Sequence, residues 1–191
     1  MTVVERSASP STQYGLSEQQ LRFYDENGYL ILRNWIAPPL LERLREAGDA
    51  WIAEGLEAGP EHPHFKDYSY ARREHGRAMY RVNYLHNKGR SASLELLGSP
   101  AVLAVAESMC GPNFVPTYES MVFKQQGDGE KIAWHQDAVQ PRNYRIFNYD
   151  VYLDHSRAGA GALRVIPGTH LQKQDVCVVA SDFGWDAPAR E

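Results

Sequence analysis

The sequence predicts a mainly β fold with flanking helices, and three observations carry that prediction. Apolar residues recur at helical spacing only before Gly111, alternating runs bounded by Gly and Pro take over after it, and the connections are mostly short. Helices first and strands later suggest helices packed outside an antiparallel β-sandwich or barrel. The 191 residues have the length of one domain, and no internal repeat is visible.

Each element has a local cause. Residues 1–16, rich in Ser and Thr, read as a mobile leader with nothing to bury, so the domain is expected over 17–191. Ser17-Glu18-Gln19-Gln20 has the form of a capping box, in which the Ser17 hydroxyl accepts from the third helical amide and Gln20 reaches back. The helix it opens closes at Asn27-Gly28, because Gly enters the left-handed region freely. Tyr29 to Leu32 is a strand candidate. Pro38-Pro39 opens a second helix, whose stripe is Leu40, Leu41, Leu44, Ala47, Gly48, Trp51 and Ile52. Residues 55–79, rich in Gly, Pro, His and charge, read as a long irregular connection. Ser99-Pro100 starts a helix from Ala101 to Met109, which Gly111-Pro112 ends. Strand candidates follow at Phe114 to Lys124, Ile132 to Asp137, Tyr149 to Asp154 and Leu163 to Ile166.

Composition excludes several functions. Twenty Lys and Arg against 24 Asp and Glu leave a formal charge of −4, the wrong sign for a nucleic-acid grip. No apolar run reads as a bilayer span, and the opening residues lack the apolar centre of a secretory signal. Cys110 and Cys177 are too few for a disulfide scaffold, so a reducing cytoplasm is the expected location. The expected partner is a small molecule, with no nucleic acid and no membrane.

The chemistry centres on Trp134-His135-Gln136-Asp137. Residues two apart on a strand point the same way, so His135 and Asp137 project together. An imidazole beside a carboxylate is two thirds of the facial triad that holds non-haem Fe(II) and leaves three positions open. The pair alone says little. Seven His, each with a 24-in-191 chance of an acid two residues on, give about 0.9 such pairs by accident.

The surrounding text says more. Leu21 to Leu30 (LRFYDENGYL), the Gly111-Pro112-Asn113 turn, the metal strand and Gly161 to His170 (GALRVIPGTH) occur in that order. Over about residues 17–173 the string resembles the phytanoyl-CoA dioxygenase family of Fe(II)/2-oxoglutarate-dependent oxygenases. The resemblance implies a double-stranded β-helix (jelly-roll) core. It implies Fe(II), with 2-oxoglutarate and O₂ as co-substrates, and oxidation of a small molecule with release of succinate and CO₂. His135 and Asp137 match the first two iron ligands. Gln136 matches a co-substrate contact of some members, Arg81 a cation facing 2-oxoglutarate or substrate, and Ser120 and Met121 a pocket-lining strand.

The pattern also expects a distal His, then an Arg or Lys for the far carboxylate of 2-oxoglutarate, beyond the Pro-Gly-Thr-His segment. The chain ends 21 residues after His170. His170 and, less well matched, His155 are the downstream histidines that could supply the third imidazole. Four or five strand candidates stand against the roughly eight of a jelly roll, so an incomplete sheet is expected. Open edges would favour a homo-oligomer or a complementing chain, and the 191 residues are expected to be the N-terminal part of a longer enzyme or half of a split one.

Plainer readings compete. The rival from another class is a truncated jelly-roll that binds a partner or ligand without turnover, and a third reading is a Zn or Ni cupin. His62 and His64 read as a solvated loop or a substrate lid. Asp150 and Asp154 read as the polar face of a strand, Trp35, Trp51 and Tyr29 as packing aromatics, and Cys110 as a buried thiol. Arg142, Arg145 and Asn148 either face an anionic substrate or lie in a solvated loop.

Overall fold

Helix α2 is the axle of the molecule. The computed structural model describes residues 13–73, 76–124, 133–137, 144–159 and 161–173, together with 175 and 179. Within them α1 spans Glu18–Asn27, α2 Pro38–Glu57, β1 Tyr68–Arg73, β2 Gly76–Asn83, α3 Ser91–Leu97, α4 Pro100–Cys110 and β3 Ser120–Val122. Leu40, Leu44, Ala47, Gly48, Trp51 and Gly55 form the buried stripe of α2. On one side Ala47, Trp51 and Ala58 pack with Tyr68, Met79, Val82 and Leu85 of the sheet region. On the other, Leu40 and Leu44 pack with Ile36, Ala92 and Ala101, joined by Trp35, Val151 and Leu153.

Two glycines set how closely the sheet approaches. A Cβ at Gly48 would lie 2.9 Å from Met121 Sδ, and one at Gly55 would lie 2.2 Å from Met79 Sδ. Seven residues apart on one helix face, they leave two notches that the methionine side chains fill.

The sheet is antiparallel with strand order β1-β2-β3. Ser69 pairs with Arg81 but Tyr70 with Met79, so Tyr80 is an extra residue in a bulge. Val82 pairs with Met121, Arg81 with Val122 and Asn83 with Ser120. Val82 is fully buried against α2, and strand alternation therefore places Arg81, Asn83, Ser120 and Val122 on the opposite face.

The capping box forms as its residues require, with Gln20 N–H donating to Ser17 Oγ at 3.2 Å and Ser17 N–H donating to Gln20 Oε1 at 2.9 Å. Gly28, at φ 81°, caps the far end of α1. Ordered structure begins before Ser17: the Tyr14 ring meets Trp35 edge-on at 5.4 Å, and Leu16 N–H donates to Ser108 Oγ. The expected leader otherwise falls on residues 1–12, outside the described residues.

Several expectations change. Residues 55–79 are not irregular throughout: α2 runs to Glu57, and β1 with the start of β2 form a hairpin whose alternation is interrupted by the bulge. Phe114 to Lys124 is strand only at Ser120–Val122, and the described parts of 29–32, 132–137, 149–154 and 163–166 have no assigned ladder. An alternating pattern makes a strand only where a neighbouring backbone accepts its bonds. Among the described residues helix outweighs strand, and they form a small antiparallel sheet with helices. Finally, Ser91–Cys110 is apolar and long enough by composition to cross a membrane. It is bent into α3 and α4 at Gly98-Ser99-Pro100, with Ala101, Ala104, Val105 and Met109 buried in the fold.

His62 and His64 belong to a polar network instead of a solvated loop. His62 Nε2 lies 3.6 Å from Glu54, His64 Nδ1 lies 3.4 Å from Asp67, and the buried Lys88 ammonium reaches Asp67 at 2.5 Å. Tyr68 donates to Glu54 at 2.5 Å. These bonds tie the 59–67 connection to α2 and to the turn after β2. Cys110 is half-buried rather than buried, with Sγ 3.8 Å from the Arg145 carbonyl. Arg142 and Cys177 lie outside the described residues.

Candidate functional site

The segment 133–137 lies in no helix or ladder, with a bend at Asp137, and its contacts sort by parity. Trp134 lies under the Arg164 guanidinium at 5.2 Å, and Gln136 Nε2 donates to the carbonyls of Thr169 (2.5 Å) and Gln172 (3.0 Å). His135 and Asp137 take the other side, with His135 Nε2 3.7 Å from Asp137 Oδ1. Both are open to solvent, 58% and 67% exposed. The even-numbered side chains dock the segment, and the odd-numbered ones present an imidazole and a carboxylate to open space.

Each of those two groups has a neighbour on its other atom. His135 Nδ1 lies 2.8 Å from the Ala133 carbonyl, which only accepts, so in the neutral ring Nδ1 carries the proton and Nε2 the lone pair. Asn148 Nδ2 donates to Asp137 Oδ2 at 3.3 Å, leaving Oδ1 on the His135 side. Two donors at right angles on one ion, with bonds of about 2.1 Å, stand about 3 Å apart. The observed pair needs only a small side-chain rotation to reach that. A neutral imidazole nitrogen and a carboxylate oxygen, each oriented through its far atom, fit a divalent metal.

Asp150, read from the sequence as the polar face of a strand, turns out to be an electrostatic neighbour of Asp137. Its carboxyl is held above the usual carboxylate range, first by loss of water around the group and then by the negative charge of Asp137, although the residue as a whole is surface-accessible. Asn148 and Asp150 are two apart in an extended stretch, the same spacing that singles out His135 and Asp137. That spacing was the available signal.

The remaining candidates are scattered. His170 Nε2 donates to the Asp25 carbonyl at 3.0 Å, and its ring covers Gly28 so closely that a Cβ there would come within 2.4 Å of Nδ1. The structure therefore uses His170 to dock the 166–172 turn on the end of α1, beside Gly168 N–H on the Asn27 carbonyl. His155 is exposed. Among the described residues no group of three His, Cys, Asp or Glu could hold a metal, so His170 does not complete a set with the pair. Gln136 is spent on backbone carbonyls. Met121 packs on Gly48 and turns into the helical core, whereas Ser120 faces the other way with Arg81, so the two do not line one pocket. Arg81 is half-buried, and its Nε has no hydrogen-bond partner among the described residues.

Comparison with known proteins adds an independent line. A family model described as phytanoyl-CoA dioxygenase (PhyH) matches residues 24–189. The chain is 24% identical to the peroxisomal phytanoyl-CoA dioxygenase of Rattus norvegicus over 163 residues, covering 81% of this chain and 48% of that protein. It is 26% identical to a probable phytanoyl-CoA dioxygenase of Caenorhabditis elegans over 166 residues, 81% of this chain and 53% of that one. Against the Homo sapiens protein the identity is 22% over 168 residues, at 81% and 48% coverage. The chain thus spans about half the length of the curated relatives it matches.

Proposed function

The chain belongs to the phytanoyl-CoA dioxygenase family, and from that membership and the paired donors we propose a ferrous, 2-oxoglutarate-dependent oxygenase acting on a small molecule. The observation that carries the reading is the shared side of His135 and Asp137, with Nε2 and Oδ1 3.7 Å apart and both far atoms engaged. The fold around them would be the double-stranded β-helix of the family.

When bound, ferrous ion would activate dioxygen, whose reduction draws two electrons from 2-oxoglutarate, released as succinate and CO₂, and two from the oxidised substrate. The protein's part is placement. His135 offers Nε2 because Ala133 holds the Nδ1 proton, and Asp137 offers Oδ1 because Asn148 occupies Oδ2. Trp134 and Gln136, fastened to Arg164, Thr169 and Gln172, keep the ribbon from rotating. Hydroxylation is the default outcome, and a cytoplasmic setting without nucleic acid or membrane belongs to the same proposal.

The rival reading is a ligand-binding relative without turnover. The chain, supplied with ferrous ion and 2-oxoglutarate in air, separates the two. Succinate formation that falls at least about 100-fold in both His135→Ala and Asp137→Ala supports the oxygenase. No succinate from the unaltered chain supports the rival.

A further inference from the structure

A carboxylate on an open surface is free to turn about its last torsion, a broad and nearly two-fold well. Asp137 is 67% exposed, so packing does little to fix it. Its Oδ2 nevertheless accepts from Asn148 Nδ2 at 3.3 Å, while Oδ1 lies on the side of His135 Nε2. We propose that Asn148 is a positioning residue for a divalent metal, holding Asp137 so that Oδ1 alone meets the ion beside His135 Nε2. The inference rests on the oxygenase reading of the pair.

The residue type suits that task. An amide can donate to a carboxylate without adding charge, whereas a carboxylate at 148 would be one more negative group near Asp137 and Asp150. Occupying one oxygen also disfavours two-oxygen chelation by Asp137, which would use up a coordination position that a facial site keeps open. His135 carries the matching device, its Nδ1 proton on the Ala133 carbonyl. Outer neighbours of this kind orient the ligand and raise metal affinity without touching the ion.

The test uses Mn(II) alone, titrated to millimolar concentration into the chain, with free Mn(II) read by electron paramagnetic resonance. The variants are Asn148→Leu and Asn148→Ala, with His135→Ala as reference and the metal-free thermal midpoint of each recorded. The expected result is that both Asn148 variants bind Mn(II) about 10- to 100-fold more weakly than the unaltered chain, with the metal-free midpoint unchanged. A merely structural role would move the midpoint and leave the affinity. If the unaltered chain binds, His135→Ala does not, and the Asn148 variants bind as tightly as the unaltered chain, this inference falls and the oxygenase reading stands. If the unaltered chain binds no better than His135→Ala, both fall.

Discussion

The α2–hairpin region and the segments 133–137, 144–159 and 161–173 are held by different balances of force. In the first, Trp51, Met79 and Val82 are fully buried and Leu44 is 1% exposed, and β1 and β2 share a hydrogen-bonded ladder. In the second, Val151, Leu153 and Ile166 are seated by burial, but Leu163 and Leu171 are 61% and 68% exposed, and side chains on backbone carbonyls add much of the hold: Arg45 on Leu153, Gln136 on Thr169 and Gln172, His170 on Asp25. Burial dominates the first region, while polar clasps share the work with a few apolar contacts in the second, where the candidate site lies. The exposed His135 and Asp137 are thereby set apart from the core that stabilises the fold.

Four substitutions or titrations sharpen that contrast, from the largest loss of stability to the smallest. Trp51→Ala empties the centre of the first region and should lower unfolding free energy by about 3–5 kcal/mol in urea titration, taking both regions down together. Gly28→Ala strikes the seam between them. At φ 81°, with the His170 ring against the position, alanine should cost about 1–2 kcal/mol and free the 166–172 turn, seen as faster amide exchange at Gly168. Tyr149, whose hydroxyl lies 3.4 Å from the Ala101 carbonyl, is pushed up to about 12 by burial. Its phenol is neutral in the fold at pH values where the unfolded chain ionises. Its contribution is complete below about pH 10 and lost as the pH rises toward 12. Tyr149→Phe should flatten that alkaline decline, and Tyr68, raised the same way, should account for part of what remains. His135→Ala, on an exposed side chain, should change stability by less than about 0.5 kcal/mol.

The legible parts of the sequence were those with a local physical cause. The Ser17–Gln20 box, the Gly28 cap, the Pro38 start and the Leu40 to Trp51 stripe each depend on neighbours within a turn or two, and each is where the pattern puts it. The hairpin was hidden because the Tyr80 bulge breaks alternation and Gly-Pro-His text precedes it. Alternation after Gly111 predicted side chains that share a face, correctly for Trp134 with Gln136 and His135 with Asp137, but ladders depend on partners far along the chain. His170 illustrates the same limit. Nothing near it in sequence reveals that Asp25 and Gly28, more than a hundred residues earlier, take up its ring.

The central claim is that the His135 imidazole and the Asp137 carboxylate grip ferrous ion from the same side. Anaerobic addition of Fe(II) and then 2-oxoglutarate, followed by visible absorption, tests it most directly. A weak charge-transfer band that needs both additions and vanishes in the stably folded His135→Ala variant is the predicted result. No band in the unaltered chain, or an undiminished band in His135→Ala, would contradict it.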